Sequence, residues 1–168
     1  MLRRDPFADP EPLIRRVYAY VAYRVGDGAD AEDITSETFE RALRYRGSFD
    51  PRKGDAVAWL IGIARRRIAD AYGNVELPQA DPPEEVDPVS TEDDAVARLD
   101  LSAAVAGLAQ RDRELIALRY GADLTADQIG TILELSTNAV EVALHRALTR
   151  LRGTLEPAAD APEDILTR

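Results

Sequence analysis

The side chains best equipped for chemistry in this sequence are cations set among apolar and aromatic neighbours. Arg65, Arg66 and Arg67 follow one another a short way after Trp59. Just before them, the loop Arg46–Asp55 brings Arg46, Ser48, Phe49, Arg52 and Lys53 together around Gly47 and Gly54. Guanidinium groups bind phosphate and aromatic rings stack on unpaired bases, so this set suits a single strand of nucleic acid. Successive helical residues point about 100° apart, so the three arginines cannot all meet one strand. Trp59 has two readings, a stacking platform or an ordinary core residue.

A second set lies near the far end of the chain. Val140, Leu144, Ala147, Leu148 and Leu151 form an apolar stripe at helical spacing, and Thr137, Asn138, Glu141, Val142, His145 and Arg146 fall opposite. A helix of this kind can lie in a major groove, where Asn138 can pair with adenine and Arg146 can reach guanine or phosphate. Glu141 repels phosphate but can accept from cytosine N4. A helical hairpin packed in a bundle gives the same pattern. A third set, Asp33, Glu37, Glu40 and Arg41, makes an acidic, partly apolar helix face. It suits docking to a basic helical partner, or is a solvated surface.

Other chemistries lack their residues. There is no cysteine, and His145 is the only histidine, so neither a thiolate site nor a histidine cluster is expected. No phosphate-binding glycine loop and no nucleophile with a base are evident, so an enzyme, a metal and a cofactor are not expected. The longest charge-free stretch of the first half, Ala56–Ala64, is far short of the roughly 20 apolar residues of a membrane span. No apolar segment follows the N-terminus as in a signal peptide, and a cytoplasmic protein without membrane insertion is expected.

The positioning elements read as helices throughout. In the first half the spacing predicts helices over about Glu11–Val25, from a cap at Asp30 through Leu43, and over Ala56–Tyr72 with Gly73 as a stop. In the second it predicts Glu92–Leu108, Gln110–Tyr120, Ala126–Leu133 and Thr137–Arg152. Thr125 and Gln128 have capping-box spacing, Ser136 is a cap, and Gly121 closes the second of these helices. The net charge of −10 argues against nucleic-acid binding until its distribution is considered. Residues 1–73 carry 13 basic and 12 acidic side chains, and residues 101–152 carry 6 of each. The acidity sits in residues 74–100 and in the tail. Four prolines and no cation in Asn74–Asp94 predict an extended acidic linker. The expected organisation is all-α: a three-helix domain over 1–73, a linker over 74–97, a four-helix domain with a helix-turn-helix over 98–153, and a disordered tail over 154–168.

Three segments carry a resemblance. Ala29–Phe39, Ala58–Asp70 and Leu124–Arg152 are similar, in order and spacing, to the core-binding helix, promoter-melting helix and helix-turn-helix of extracytoplasmic-function sigma factors. This class keeps only the second and fourth conserved sigma domains. The resemblance covers roughly residues 10–73 and 98–153. It implies an alternative sigma factor that directs RNA polymerase core enzyme to promoters, with the β′ clamp helices and the β flap as contacts and an anti-sigma factor as a further partner. Asp33, Glu37, Glu40 and Arg41 would then face the clamp helices. Arg46, Ser48, Phe49, Arg52, Lys53, Trp59, Arg65, Arg66 and Arg67 would meet the −10 element, the loop holding a flipped base. Thr137, Asn138, Glu141, Val142, His145 and Arg146 would read the −35 element. The family often has lysine or arginine near Glu141 and Ala143, so Arg111 and Arg113 are expected to supply phosphate contacts here. The acidic linker would run through the active-site channel of the polymerase. Rival expectations are a stand-alone helix-turn-helix regulator, which binds duplex DNA without polymerase, and a helical adaptor that binds protein only.

Overall fold

The computed structural model describes residues 5–73 and 100–156, and all regular structure among them is helical. In the first half, α1 (Glu11–Val25), α2 (Ala29–Arg44) and α3 (Ala56–Tyr72) pack pairwise, with a single 3₁₀ turn at Arg46–Ser48 after α2. The second half holds α4 (residues 100–106), α5 (Gln110–Ile116), α6 (Ala126–Leu133) and α7 (Thr137–Leu155). The linker, the tail and residues 92–99 of the expected fourth helix lie outside the described residues.

Local chemistry sets most boundaries. The Asp55 carboxylate accepts from Ala58 N at 2.8 Å and starts α3, and Gly73 ends it at φ 69°, a left-handed conformation that favours glycine. Thr125 and Gln128 form the reciprocal capping box on α6. Ser136 Oγ accepts from Ala139 N at 3.1 Å and starts α7. Two expectations need correction. Asp30 does not cap α2: Gly28 holds the cap position without a side-chain bond, and the Asp30 carboxylate accepts from Tyr72 Oη at 2.8 Å. The helix expected over Gln110–Tyr120 stays α-helical only to Ile116, then widens to a π turn over Ala117–Gly121. That turn brings Leu118, Ala122 and Leu124 into the core with no exposure.

The two halves do not stand apart. Leu13, Val17, Tyr20 and Val21 of α1 and Leu60, Ile61 and Ala64 of α3 share one core with Leu115, Leu118, Ile129 and Val140. A smaller cluster of Val105, Leu108, Ile116, Ala147 and Leu151 ties α4, α5 and α7 together. The π turn lies directly on α1. Gly121 approaches so closely that a Cβ there would stand 2.8 Å from Tyr20 Cα and N. Arg16 completes the seam, donating from Nε to Ala122 O at 2.7 Å and from Nη2 to Asp123 O at 2.9 Å. No described helix is long and apolar enough to cross a membrane.

Candidate nucleic-acid interface

The helix-turn-helix is built from α6 and α7. The chain reverses at Glu134, which adopts a left-handed conformation (φ 57°, ψ 42°), and Leu135 N donates to Gly130 O at 2.9 Å. A Cβ on Gly130 would lie 2.6 Å from Leu135 O, so the tightness of the turn depends on that glycine. Val140, Leu144, Ala147 and Leu151 are buried, which orients α7. Thr137, Asn138, Glu141, Val142, His145 and Arg146 are all exposed on it. Val142, 42 % exposed, is an uncovered apolar side chain within this polar face. Thr137 Oγ1 donates to Asp127 Oδ1 at 3.4 Å, which fixes the first turn against α6.

Arg111 is exposed, but Arg113 is not on this surface. It is 6 % exposed, and its Nη2 donates to Ala106 O at 2.8 Å and Leu108 O at 2.9 Å. The expectation of a phosphate contact at Arg113 is therefore withdrawn. Its guanidinium satisfies carbonyls at the end of α4, where buried acceptors need donors.

In the first half, Trp59 is half-buried in an aromatic trio. Its ring centroid is 5.4 Å from Phe49 and 5.9 Å from Phe7, and Phe7 meets Phe49 edge-on at 5.4 Å. One side of Trp59 thus packs and another lines a cleft. Arg41, Tyr45, Ser48, Trp59, Ile63 and Arg66 surround that cleft of about 390 Å³. The size is within the roughly 300–1,000 Å³ of small-ligand sites. Two guanidinium groups and two aromatic rings at its wall can hold a base and its phosphates. The loop is internally braced. Arg46 pairs with Asp5 at 2.7 Å, Ser48 Oγ donates to Tyr45 O at 2.7 Å, and Arg52 is held by Asp50. Lys53 is exposed beside them.

The arginine triplet splits three ways. Arg66 is exposed and lines the cleft. Arg67 crosses to α2, where it pairs with Glu37, and it also reaches Asp70 at 3.2 Å. Arg65 turns to the second half, donating from Nε to Glu114 Oε1 at 2.9 Å and from Nη1 to Ile132 O at 3.4 Å. Of the acidic set on α2, Asp33, Glu40 and Arg41 are exposed, while Glu37 is partly covered by its pairing with Arg67.

Glu114 is the residue that sequence reasoning missed. Its carboxylate, 11 % exposed, also accepts from Tyr20 Oη at 3.0 and 3.1 Å. Arg24 Nε lies 2.6 Å from Oε2, at an angle too oblique for a hydrogen bond. Burial pushes the Tyr20 hydroxyl pKa well above 10, and the neighbouring Glu114 charge adds to the rise. Gly121, whose backbone lies against Tyr20, was the one available signal that the halves meet here, and it does not point to Glu114 or its partners. A glycine inside a helical pattern marks a close backbone approach. Among the described residues no His/Cys/Asp/Glu group of metal-binding geometry occurs.

The comparisons with known proteins follow this division. The family model Sigma-70 region 2 matches residues 11–74, and Sigma-70, region 4 matches residues 104–153. The ECF RNA polymerase sigma factor BldN of Streptomyces coelicolor is 35% identical over 147 residues, 80% of this chain and 54% of BldN. The chain thus spans about half the length of that relative. The ECF RNA polymerase sigma factor SigL of Mycobacterium tuberculosis is 32% identical over 150 residues, 83% of this chain and 82% of SigL. Among solved structures, the sigma factor RpoE in complex with the anti-sigma factor NepR from Bartonella quintana aligns with a TM-score of 0.65 at 18% identity. That alignment covers 88% of this chain and 94% of RpoE. CnrH, solved with the cytosolic domain of CnrY, aligns at 0.61 and 23% identity, covering 89% of this chain and 84% of CnrH. These two likenesses concern the fold alone. Two region models in the expected order, with a relative matched over most of its length, show that the chain belongs to the extracytoplasmic-function family of RNA polymerase sigma factors.

Proposed function

We propose that this chain is an alternative sigma factor that docks on RNA polymerase core enzyme and directs it to promoters, acting as an initiation factor rather than an enzyme. Residues 1–73 would form the polymerase- and −10-binding domain and residues 98–153 the −35-binding domain. The observation that carries the reading is the α7 face. Six side chains able to meet DNA stand exposed opposite a buried stripe, on the second helix of a helix-turn-helix. Asn138, Glu141 and Arg146 would read base edges there, with Arg111 on phosphate. On the first domain, Asp33, Glu40 and Arg41 would meet the β′ clamp helices, with Glu37 held by Arg67 at the edge of that patch. The cleft between Trp59 and Arg66 would take an unstacked −10 base, offsetting the few kcal/mol that unpairing costs. The polymerase supplies the catalytic site. The setting would be the cytoplasm, and an anti-sigma protein is the expected inhibitor.

A gel shift on promoter DNA with and without core polymerase tests this against the stand-alone regulator. The sigma reading predicts a specific shift that requires polymerase. A specific shift of equal strength from the chain alone would favour the regulator.

A further inference from the structure

Two side chains of the −10 set, Phe49 and Trp59, share a ring cluster with a third ring from outside that set, Phe7. We infer that Phe7 is a positioning residue for promoter opening: it props Phe49 and Trp59 so that Trp59 presents its free side to the base taken into the cleft beside Arg66. The inference rests on the reading of that cleft as the site of an unstacked −10 base.

Three observations support it. First, the segment that carries Phe7 is built to aim it. Asp5-Pro6-Phe7-Ala8 has the aspartate and proline of a tight turn. Ala8 N donates to Asp5 O at 3.0 Å, and Phe7 N donates to Asp5 Oδ1 at 3.0 Å. The other carboxylate oxygen, Oδ2, accepts from Arg46 Nη2 at 2.7 Å, which ties the turn to the loop after α2. That ion pair is about half exposed on both sides, so it directs the turn rather than stabilising the fold. Second, Phe7 is the one side chain of residues 5–10 that is not exposed. It meets Phe49 at 76° and Trp59 at 65°, both edge-on, and contacts of this kind favour one ring orientation over others. Third, the support is one-sided. Trp59 lines the cleft, whereas Phe7 and Phe49 lie outside its wall. A base stacks on a ring whose plane is already set at a lower entropic cost than on one that must be ordered during capture.

Trp59 is the only tryptophan of the chain, so its emission reports on this ring directly. In the full free chain, Phe7→Ala should shift that emission to longer wavelength and raise its quenching by acrylamide, with far-ultraviolet circular dichroism as in the parent. Binding is measured on holoenzyme assembled from the full chain and purified core polymerase. The probe is a fluorescein-labelled single strand covering the −10 element of a promoter that the parent holoenzyme transcribes. A companion set of the same strand lacks one base at a time. The base that occupies the cleft is the one whose removal leaves Trp59→Ala without further effect, since two changes in one contact do not add.

Phe7→Ala should weaken binding of the intact strand about fivefold, near the low end of what stacking of one base contributes. It should have no effect on the strand that lacks the cleft base, whereas a general loss of folding would weaken both. Phe7→Tyr, which keeps the ring, should bind as the parent does. Phe7→Leu keeps apolar bulk without a ring edge, and should hold the parent's melting temperature while showing the same loss at the same base. If Trp59→Ala is silenced at one position, but Phe7→Ala and Phe7→Leu weaken every strand equally or none, the positioning role is overturned and the cleft reading survives. A parent holoenzyme that transcribes no promoter, or a base set in which no position silences Trp59→Ala, sinks the cleft reading and the inference with it.

Discussion

Replacing Gly130 by alanine should destabilise this protein, although alanine is the better helix former. The propensity gain alone is about 1 kcal/mol. Against it stands one contact. The new Cβ would meet Leu135 O at 2.6 Å, where ordinary contact begins near 3.4 Å. The obstructing atom is backbone, tied by the Leu135 N–H to the Gly130 carbonyl, and cannot rotate away as a side chain would. Overpacking of this kind costs about 1–3 kcal/mol. The expected net loss is about 1 kcal/mol, or a fall of about 4 °C in Tm for a domain of this size. Gly62 supplies the internal control. It lies within α3 with nothing within 4 Å of a built Cβ, so Gly62→Ala keeps the propensity gain and should raise Tm by a similar amount. Thermal melts followed by circular dichroism on the parent and both variants measure the signs. A Gly130→Ala chain melting at or above the parent would refute the claim that this glycine sets the turn.

Two further outcomes follow from buried groups. Arg113→Ala strips the donors from Ala106 O and Leu108 O and should cost about 2–4 kcal/mol in chemical denaturation. Arg111→Ala, at an exposed position, should leave stability unchanged, and equal losses at the two sites would contradict the burial. Tyr18 and Tyr72 have pKa values pushed up from 10 to about 12, chiefly by burial and then by hydrogen bonds to Asp27 and Asp30. The folded state then holds these protons more tightly than the unfolded state. Their stabilisation is complete below pH 10 and is lost as pH rises from 10 through about 12. Absorbance titration at alkaline pH should show a late tyrosinate phase that Tyr18→Phe with Tyr72→Phe shrinks, leaving the contribution of Tyr20; a single phase near 10 in the folded parent would contradict it.

What the sequence disclosed depended on how local the determinant was. Helices α1, α3 and α6 begin and end within one turn of their signals, because Asp55, Gly73 and the Thr125–Gln128 pair act on backbone a few residues away. The α7 face was equally readable, since its stripe has one period over many residues. Gly28 displaced Asp30 at the start of α2, and the aspartate found Tyr72 of α3 instead, a partner 42 residues away. Arg113 and Arg111 are two positions apart on one helix and were read alike. Which of them is buried depends on where α4 ends against α5. The seam was the least legible feature. Tyr20 offered only an apolar spacing, and nothing near Glu114 in sequence announces Arg24 or Arg65. A bond over 49 or 94 residues is fixed by how the halves meet, which no local pattern encodes.

The most direct measurement is run-off transcription with purified bacterial core polymerase on a library of genomic promoter fragments. Core enzyme with this chain should initiate at defined start sites on a subset of fragments, and Trp59→Ala with Arg66→Ala should abolish those transcripts while core binding persists. Transcripts no more numerous or more sharply placed than those of core enzyme alone would contradict the assignment of promoter selection to this protein.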